Sequence, residues 1–120
     1  MDETEFKRRT REFAKRVAGV CDALPAQRTA DVLARQLIRS GMSVAANYRA
    51  ACRARSTRDM ISKLSIVEEE ADESVHWLEM LVELEIITEK RLAPLIDEGN
   101  QIIAMLVASI KTLRRKSTKS

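Results

Sequence analysis

Residues 56–84 read STRDMISKLSIVEEEADESVHWLEMLVEL and contain neither glycine nor proline. Apolar side chains recur along this stretch at spacings of three and four residues, which is the period of one face of an α-helix. Ser56 and Asp59 have the spacing of a capping box, with aspartate in place of the preferred glutamate, and this predicts where the helix begins. The predicted buried face consists of Ile61, Leu64, Val67, Ala71, Val75, Leu78 and Val82.

Two helices are predicted before this stretch, and neither segment alternates with the two-residue period of a strand. The first extends from about residue 3 to residue 23 and ends before Pro25, which has no backbone N–H to donate. The second is expected to begin after an N-cap at Thr29, with Asp31 in its positive first turn, and to continue to about Ala54.

A fourth helix is predicted after a cap at Thr88. Pro94 either moves the start of this helix to about Ala93 or bends it. Four helices of about 20 to 28 residues with short connections are typical of a bundle. The sequence therefore predicts an all-α fold, an antiparallel up-down-up-down four-helix bundle over residues 1–113, with a basic C-terminal tail over residues 114–120.

The composition argues against catalysis. The 120 residues include one histidine, two cysteines and three glycines, and only 3% of the side chains are aromatic. This leaves little material for a Ser-His-Asp or Cys-His arrangement, and no Gly-rich phosphate loop is present in the sequence. We therefore expect a protein that is not an enzyme and has no cofactor.

The cysteines and the first residues predict a cytoplasmic protein. Cys21 and Cys52 lack the spacing of a redox or metal motif, so we expect both to be small, buried and reduced. The first ten residues, MDETEFKRRT, are charged and lack the apolar run of a signal peptide. No stretch reaches the roughly 20 apolar residues that a membrane span needs.

The third and fourth helices carry more apolar surface than one buried stripe requires. A face this wide is typical of an oligomer, and we expect a homo-oligomer. The expected interface consists of Met60, Trp77, Leu81 and Leu84. The alternative is a generous core with a few exposed methionines.

Charge is segregated along the chain, although the net charge is only +3. Residues 25–58 carry seven basic side chains and one acidic one, whereas residues 59–98 carry three basic and twelve acidic ones. Residues 99–120 carry five basic side chains and no acidic one. In an antiparallel bundle these basic runs converge at one end, because the second and fourth helices finish there.

This basic end is a candidate nucleic-acid interface, since arginine forks bind phosphates without reading the base sequence. The expected contacts are Arg49, Arg53, Arg55 and Arg58, supported by Arg114 and Arg115. The cations expected beside them are Lys7, Arg8, Arg9, Arg11, Lys116 and Lys119. The opposite end is expected to collect Glu79, Glu83, Glu85, Glu89, Asp97 and Glu98. The alternative is a solvated surface that balances the helix dipoles.

The acidic run before Trp77 contains a second candidate site. Glu73 and His76 have the Glu-x-x-His spacing that di-iron bundles use, but such sites need two of these motifs. With one histidine in the chain, only a symmetric oligomer supplies the second motif. We favour the alternative, a partly exposed histidine flanked by surface carboxylates, and predict no metal site.

Polar residues form a stripe on the second helix beside its apolar face. Its members include Ser40 and the set Gln36, Arg39, Ser43 and Asn47. A half-buried polar group needs a hydrogen-bond partner, so we expect this stripe to fix the register of a neighbouring helix, with Glu73 as a partner. A polar ligand pocket is the alternative.

Three stretches resemble a known family. They are residues 33–47, LARQLIRSGMSVAAN; residues 53–59, RARSTRD; and residues 66–80, IVEEEADESVHWLEM. They resemble the bacterial four-helix-bundle proteins related to the 23S ribosomal RNA intervening-sequence protein. The family pattern Q-x-x-R-x-x-x-S-x-x-x-N falls on Gln36, Arg39, Ser43 and Asn47, and the family's helix-three glutamate falls on Glu73. Where the family commonly has Ala-Glu-Gly after the asparagine, this chain has Arg49-Ala50-Ala51.

The resemblance implies a small homo-oligomer, with pentamers known in the family. In general character the chain also resembles the accessory variability determinant of diversity-generating retroelements, which is similar to a pentameric basic bundle that binds nucleic acid and a reverse transcriptase. The leading hypothesis is therefore a non-enzymatic homo-oligomer that binds RNA or DNA as an accessory to a reverse transcriptase or a ribonucleoprotein. The alternative is a protein-interaction scaffold that does not bind nucleic acid.

Overall fold

Four helices make up the chain in the computed structural model, which describes residues 2–119. They are α1 (Glu3–Asp22), α2 (Arg28–Ala51), α3 (Thr57–Glu83) and α4 (Glu89–Lys119), and no strand occurs among these residues. The helices pack into an elongated body of 53 × 21 × 21 Å. The all-α prediction is confirmed, and the helices pack as a bundle. Met1, Ser120 and the side chain of Lys119 lie outside the described residues.

Side-chain caps fix the starts of α1 and α3. A carboxylate oxygen of Asp2 accepts a hydrogen bond from the Thr4 N–H at 2.9 Å, and Ser56 Oγ accepts one from the Asp59 N–H at 3.1 Å. The cap predicted at Ser56 is therefore confirmed. The Asp59 carboxylate in turn accepts the Arg55 N–H at 3.2 Å, so it fastens the loop before the cap.

The predicted boundaries of α2 are wrong at both ends. The Asp31 N–H donates to the Gln27 carbonyl at 2.9 Å, so Thr29 already belongs to the first turn and cannot be the N-cap. At the other end, the Arg53 and Ala54 N–H groups donate to carbonyls three residues earlier, and regular helix stops at Ala51 rather than at Ala54. Such tightened bonds commonly close a last turn.

Helix α4 is longer than the sequence predicts. It begins at Glu89, directly after the predicted cap Thr88, and includes Pro94 on its exposed side. Because proline has no N–H, the Lys90 carbonyl receives no helical hydrogen bond from that position. The residues expected to form a separate basic tail from position 114 instead continue the helix to Lys119.

Helices α1 and α2 meet at pairs of residues that run in opposite order along the chain. The Phe6 and Tyr48 rings meet edge to face with centroids 4.7 Å apart, and Cys21 Sγ lies 3.5 Å from the Ala34 carbonyl. Between these levels, Gly41 of α2 lies against Val17 of α1, and an added Cβ would fall 2.7 Å from Val17 Cγ1. Gly41 therefore permits the close approach of α1 and α2.

The seam between α2 and α3 and that between α3 and α4 are the most extensive, whereas α1 and α4 meet along few residues. On α3 the buried positions follow spacings of three and four residues through Val67, Ala71, Ser74, Leu78 and Leu81. This register keeps Leu81 in the core with 0% of its surface exposed, while Val82 lies half-buried beside it. Leu81 is therefore a core residue, and its assignment to an exposed oligomer interface is wrong.

Candidate nucleic-acid interface

All four helices contribute to the end of the bundle that holds Arg49, Arg53, Arg55 and Arg58. An open groove of about 480 Å³ at this end is lined by Glu3 of α1, Tyr48 of α2, Met60 of α3 and Leu113 of α4, among others. The end of α2, the start of α3, the start of α1 and the last turns of α4 therefore lie together. Arg114 and Arg115 follow Leu113 directly on α4.

The six arginines of the basic end are exposed. They are Arg49, Arg53, Arg55, Arg58, Arg114 and Arg115. None of them has a carboxylate within ion-pair distance among the described residues. No ion pair within residues 2–119 therefore uses these guanidinium groups to hold the fold.

Asp59 holds the loop that carries three of these arginines. Its carboxylate accepts hydrogen bonds from Lys63 Nζ at 2.7 Å and from the Arg55 backbone N–H at 3.2 Å. The lysine first, and then the backbone donor, lower the pKa of Asp59. The carboxylate is thus engaged by a lysine and by the backbone, and it forms no ion pair with an arginine side chain within residues 2–119.

Three cations of α1, Lys7, Arg8 and Arg9, differ from the arginines of the basic end because they pair with carboxylates. Lys7 and Arg8 pair with Glu3 and Glu5 on their own helix. Arg9 reaches α4, where its guanidinium donates to the Glu98 carboxylate through two bonds of 3.1 and 2.6 Å, and these bonds raise the pKa of Arg9.

The expectation that Arg9 joins the basic end and Glu98 the acidic one is therefore wrong. Helix α1 is 20 residues long and α4 is 31, so the middle of α1 lies beside the first half of α4. At the far end of the bundle, Glu79 and Glu83 of α3 do share a groove with Glu89 and Asp97 of α4.

Two members of the polar stripe of α2, Arg39 and Ser40, contact α3. Arg39 donates to Glu70 at 2.9 Å and also to Glu73, which accepts the Trp77 indole N–H at 3.3 Å. The Arg39 guanidinium is the main cause that lowers the pKa of Glu73. Arg39, the charged residue of the stripe, therefore pairs with Glu73, the partner expected for the stripe.

Asn47 and Gln36 of the stripe make no such ion pair with α3 among the described residues, and Ser40 contacts α3 through a hydroxyl. Asn47 donates to the Ser43 carbonyl of its own helix at 2.9 Å, and Gln36 is exposed. Ser40 instead makes the buried contact, with its Oγ 2.9 Å from the Ser74 hydroxyl. The sequence analysis did not identify Glu70 and Ser74 as partners of the stripe. Glu70 lies three residues before Glu73, the predicted partner, and four before Ser74, so helical spacing places all three on one face of α3.

The Glu73-x-x-His76 motif is used for packing. Glu73 is engaged by Arg39 and Trp77, and the exposed His76 ring lies edge-on to Trp77 with centroids 4.7 Å apart. Within residues 2–119, no three His, Cys, Asp or Glu side chains are grouped so as to hold a metal ion. Burial also raises the pKa of the Cys21 and Cys52 thiols, which disfavours the reactive thiolate.

Three of the four residues predicted to form an oligomer interface remain at the surface. Leu84 is 47% exposed, and Met60 and Trp77 are half-buried. Ile66, part of the surplus apolar surface expected on the third helix, is 43% exposed, and Val32 and Met42, which the sequence did not single out, are 45% and 43% exposed. Ile66 and Trp77 lie on the same side of α3 as Glu70 and Glu73, because their spacings are four, three and four residues.

A family model described as 23S rRNA-intervening sequence protein matches residues 2–108. The chain belongs to this family. The match includes Arg49, Arg53, Arg55 and Arg58 and ends before Arg114. Membership confirms the resemblance drawn from residues 33–47, 53–59 and 66–80.

A solved structure agrees with this assignment. The chain is similar to a crystal structure of a protein of unknown function from the S23 ribosomal protein family of Bacteroides thetaiotaomicron. The two are 34% identical with a TM-score of 0.85, and the match covers 92% of this chain and 99% of the other. No curated protein matches the sequence. Among residues 2–119, no helix has the length and apolar character needed to cross a membrane.

Proposed function

We propose that this member of the 23S rRNA-intervening sequence protein family is a non-enzymatic homo-oligomer that binds the phosphate backbone of RNA or DNA through its basic end. Its helices run in up-down-up-down order, and it acts as a cytoplasmic accessory to a reverse transcriptase or a ribonucleoprotein. One observation carries the proposal. Six exposed arginines are brought together at this end, and none of them has a carboxylate within ion-pair distance among the described residues, whereas the other arginines without such a partner lie elsewhere on the bundle.

The chemistry of the basic end favours a polyanion. A guanidinium group offers a planar fork of donors that matches a phosphate, and each phosphate contact releases counterions from the nucleic acid. The chain has only four aromatic residues, and Phe6 and Tyr48 are buried against each other. Bases therefore find little to stack on at this end, and we propose backbone contacts without base preference.

Self-association enlarges this surface. Copies arranged around one axis bring several basic ends together, which raises the affinity for a long polyanion through effective concentration. We propose that Trp77 and Leu84 near the end of α3, and Met60 in its first turn, contact the neighbouring copy. Leu84→Glu should lower the mass measured by light scattering, whereas Ser62→Glu, at an exposed polar position of α3, should not. An unchanged mass for Leu84→Glu contradicts this interface.

The decisive experiment measures binding of labelled RNA and DNA, single and double stranded, by fluorescence anisotropy across a salt series. In the test variant, Arg49, Arg53, Arg55 and Arg58 are replaced by alanine. The matched control replaces Arg16, Arg28, Arg35 and Arg91, four exposed arginines outside the basic end, and changes the net charge equally. For duplex DNA we expect the slope of log K against log salt to fall by as much as about 3.6 in the test variant, about 0.9 for each lost contact.

Each outcome has a different meaning. A loss confined to the test variant supports the basic end as the contact surface, and equal losses in both variants indicate a general charge effect. Absence of binding at low salt contradicts the proposal and favours the protein-interaction scaffold, for which the exposed Val32 and Ile66 are the supporting observation. The accessory role is tested separately by the genes next to this one, where a reverse transcriptase gene or a ribosomal RNA locus is expected.

A further inference from the structure

A shallow groove on the side of the bundle lies between α1 and α2. Its volume is about 590 Å³, and its lining includes the small side chains of Ala14, Ala45 and Ala46, with Met42 at one side. Arg11 and Lys15 of α1 and Arg49 of α2 line the same groove. The alanines of the two facing helices leave room for a chain of phosphates to approach the cations.

The cations of this groove are available to a ligand. Arg11 and Arg49 are exposed and have no carboxylate partner among the described residues. Lys15 has one, Glu12, at 3.8 Å, and the two side chains are 75% and 55% exposed. An exposed pair at this distance contributes little and yields readily to a phosphate.

Arg49 belongs both to this groove and to the basic end, so the two surfaces are continuous. On α1, Arg11 and Lys15 are one helical turn apart, about 6 Å along the axis, which corresponds to about two phosphates of one DNA strand at 3.4 Å each. Because the contacts between α1 and α2 run in opposite order, Arg11 and Lys15 lie progressively farther from the loop of residues 52–56.

We infer that the groove between α1 and α2 is a second phosphate-binding segment, along which a nucleic-acid backbone continues from the basic end past Arg49 to Arg11 and Lys15. This inference rests on the proposed function and adds the path of the ligand. It assigns a role to Arg11 and Lys15. It also predicts that the bound nucleic acid lies along the side of the bundle and not only across its end.

The sharpest test places a carboxylate in the lining of the groove. Ala46 is exposed, so Ala46→Glu and Ala46→Gln are both tolerated in the helix and differ in charge but hardly in size. We expect Ala46→Glu to weaken binding of random-sequence RNA and duplex DNA about tenfold or more at low salt, because its carboxylate pairs with the groove cations. Ala46→Gln should bind as the wild type does. Equal losses indicate that bulk and not charge matters, which contradicts the inference.

A second pair of variants tests the cations directly. Arg11→Ala with Lys15→Ala is compared with Arg16→Ala and Arg91→Ala, two exposed cations of a groove between α1 and α4. For duplex DNA we expect the salt slope to fall by about 1.8 in the first double variant, about 0.9 for each contact, and to stay unchanged in the second. Circular dichroism and thermal unfolding confirm that each variant is folded.

The results separate this inference from the proposed function. If the quadruple variant of the basic end loses affinity while Arg11→Ala with Lys15→Ala does not, the path along the groove is wrong and the proposed function stands. If neither variant loses affinity, both are wrong. Titration with poly-glutamate tests whether the groove binds an acidic protein instead of nucleic acid. If the groove variants change poly-glutamate binding while nucleic-acid binding is unaffected, the groove serves an acidic protein and the inference is overturned.

Discussion

The seam between α2 and α3 and the surface outside it use the same residue types in different ways. Arg39 in the seam is bound to Glu70 and Glu73, whereas Arg49 farther along the same helix has no carboxylate partner among the described residues. Leu81 is buried in the core, whereas Leu84, three residues later at the C-cap of α3, is 47% exposed. The role of an arginine or a leucine in this protein therefore depends on which residues of the neighbouring helices it faces, not on its type.

The positions of the acidic residues on α3 explain why Arg39 has carboxylate partners and Arg49 has none among the described residues. Helix α3 carries Asp59 near its start and then no further carboxylate until Glu68. Arg39 pairs with Glu70 and Glu73 of the later part of α3, whereas Arg55 and Arg58 lie beside Asp59, which Lys63 and the Arg55 backbone already engage. Arginines that have no carboxylate partner among the described residues are available to an external anion, and their clustering at one end is the physical basis of the proposed function.

The largest expected effect separates the two leucines. Leu81→Ala removes a fully buried side chain and should lower the free energy of unfolding by about 2 to 5 kcal/mol, because a cavity remains. Leu84→Ala should lower it by less than about 1 kcal/mol in dilute protein, since much of that side chain is already in water. Urea unfolding monitored by circular dichroism measures both. Equal losses at the two positions contradict the register described for α3.

A smaller effect tests the polar contact in the same seam. Ser74→Ala removes the hydroxyl that lies 2.9 Å from Ser40 Oγ and should cost about 1 kcal/mol of unfolding free energy. Ser62→Ala on the exposed side of α3 is the matched control, because both changes alter helix propensity equally. The difference between the two variants isolates the buried contact. No difference indicates that Ser40 is satisfied by the Leu37 carbonyl alone.

Local chemistry accounts for what the sequence predicts well. The Ser56 cap is predictable because its partner lies three residues away, and the four helices because their apolar period is local. Thr29 fails as a cap because Gln27 already supplies the first helical acceptor. The assignment of Leu81 to the oligomer interface is wrong because Leu81 and Val82 are adjacent apolar residues, and only packing against the other helices decides which of them is buried.

Contacts between distant residues are harder to predict because they depend on how far one helix is shifted along another. Arg9 and Glu98 are 89 positions apart, and they meet because a short α1 lies beside a long α4. The sequence shows the sign of the charge on each segment, but it does not show how far α1 is shifted along α4. The same is true of the groove between α1 and α2, whose lining residues come from both helices.

The smallest expected effect concerns Arg39 and depends on pH. Because Arg39 lowers the pKa of Glu73 in the folded protein, their interaction stabilises the fold above the ordinary value of about 4.5 and is lost as pH falls through the lowered pKa. Arg39→Ala should therefore be less stable than the wild type at neutral pH, and the difference should shrink in acid below pH 4.5 and in high salt. Arg49→Ala should show no such pH-dependent difference in stability but should weaken nucleic-acid binding. Urea midpoints measured from pH 7 to pH 3 distinguish the two arginines, and a parallel acid response of both variants would show that the Arg39 contacts do not stabilise the bundle.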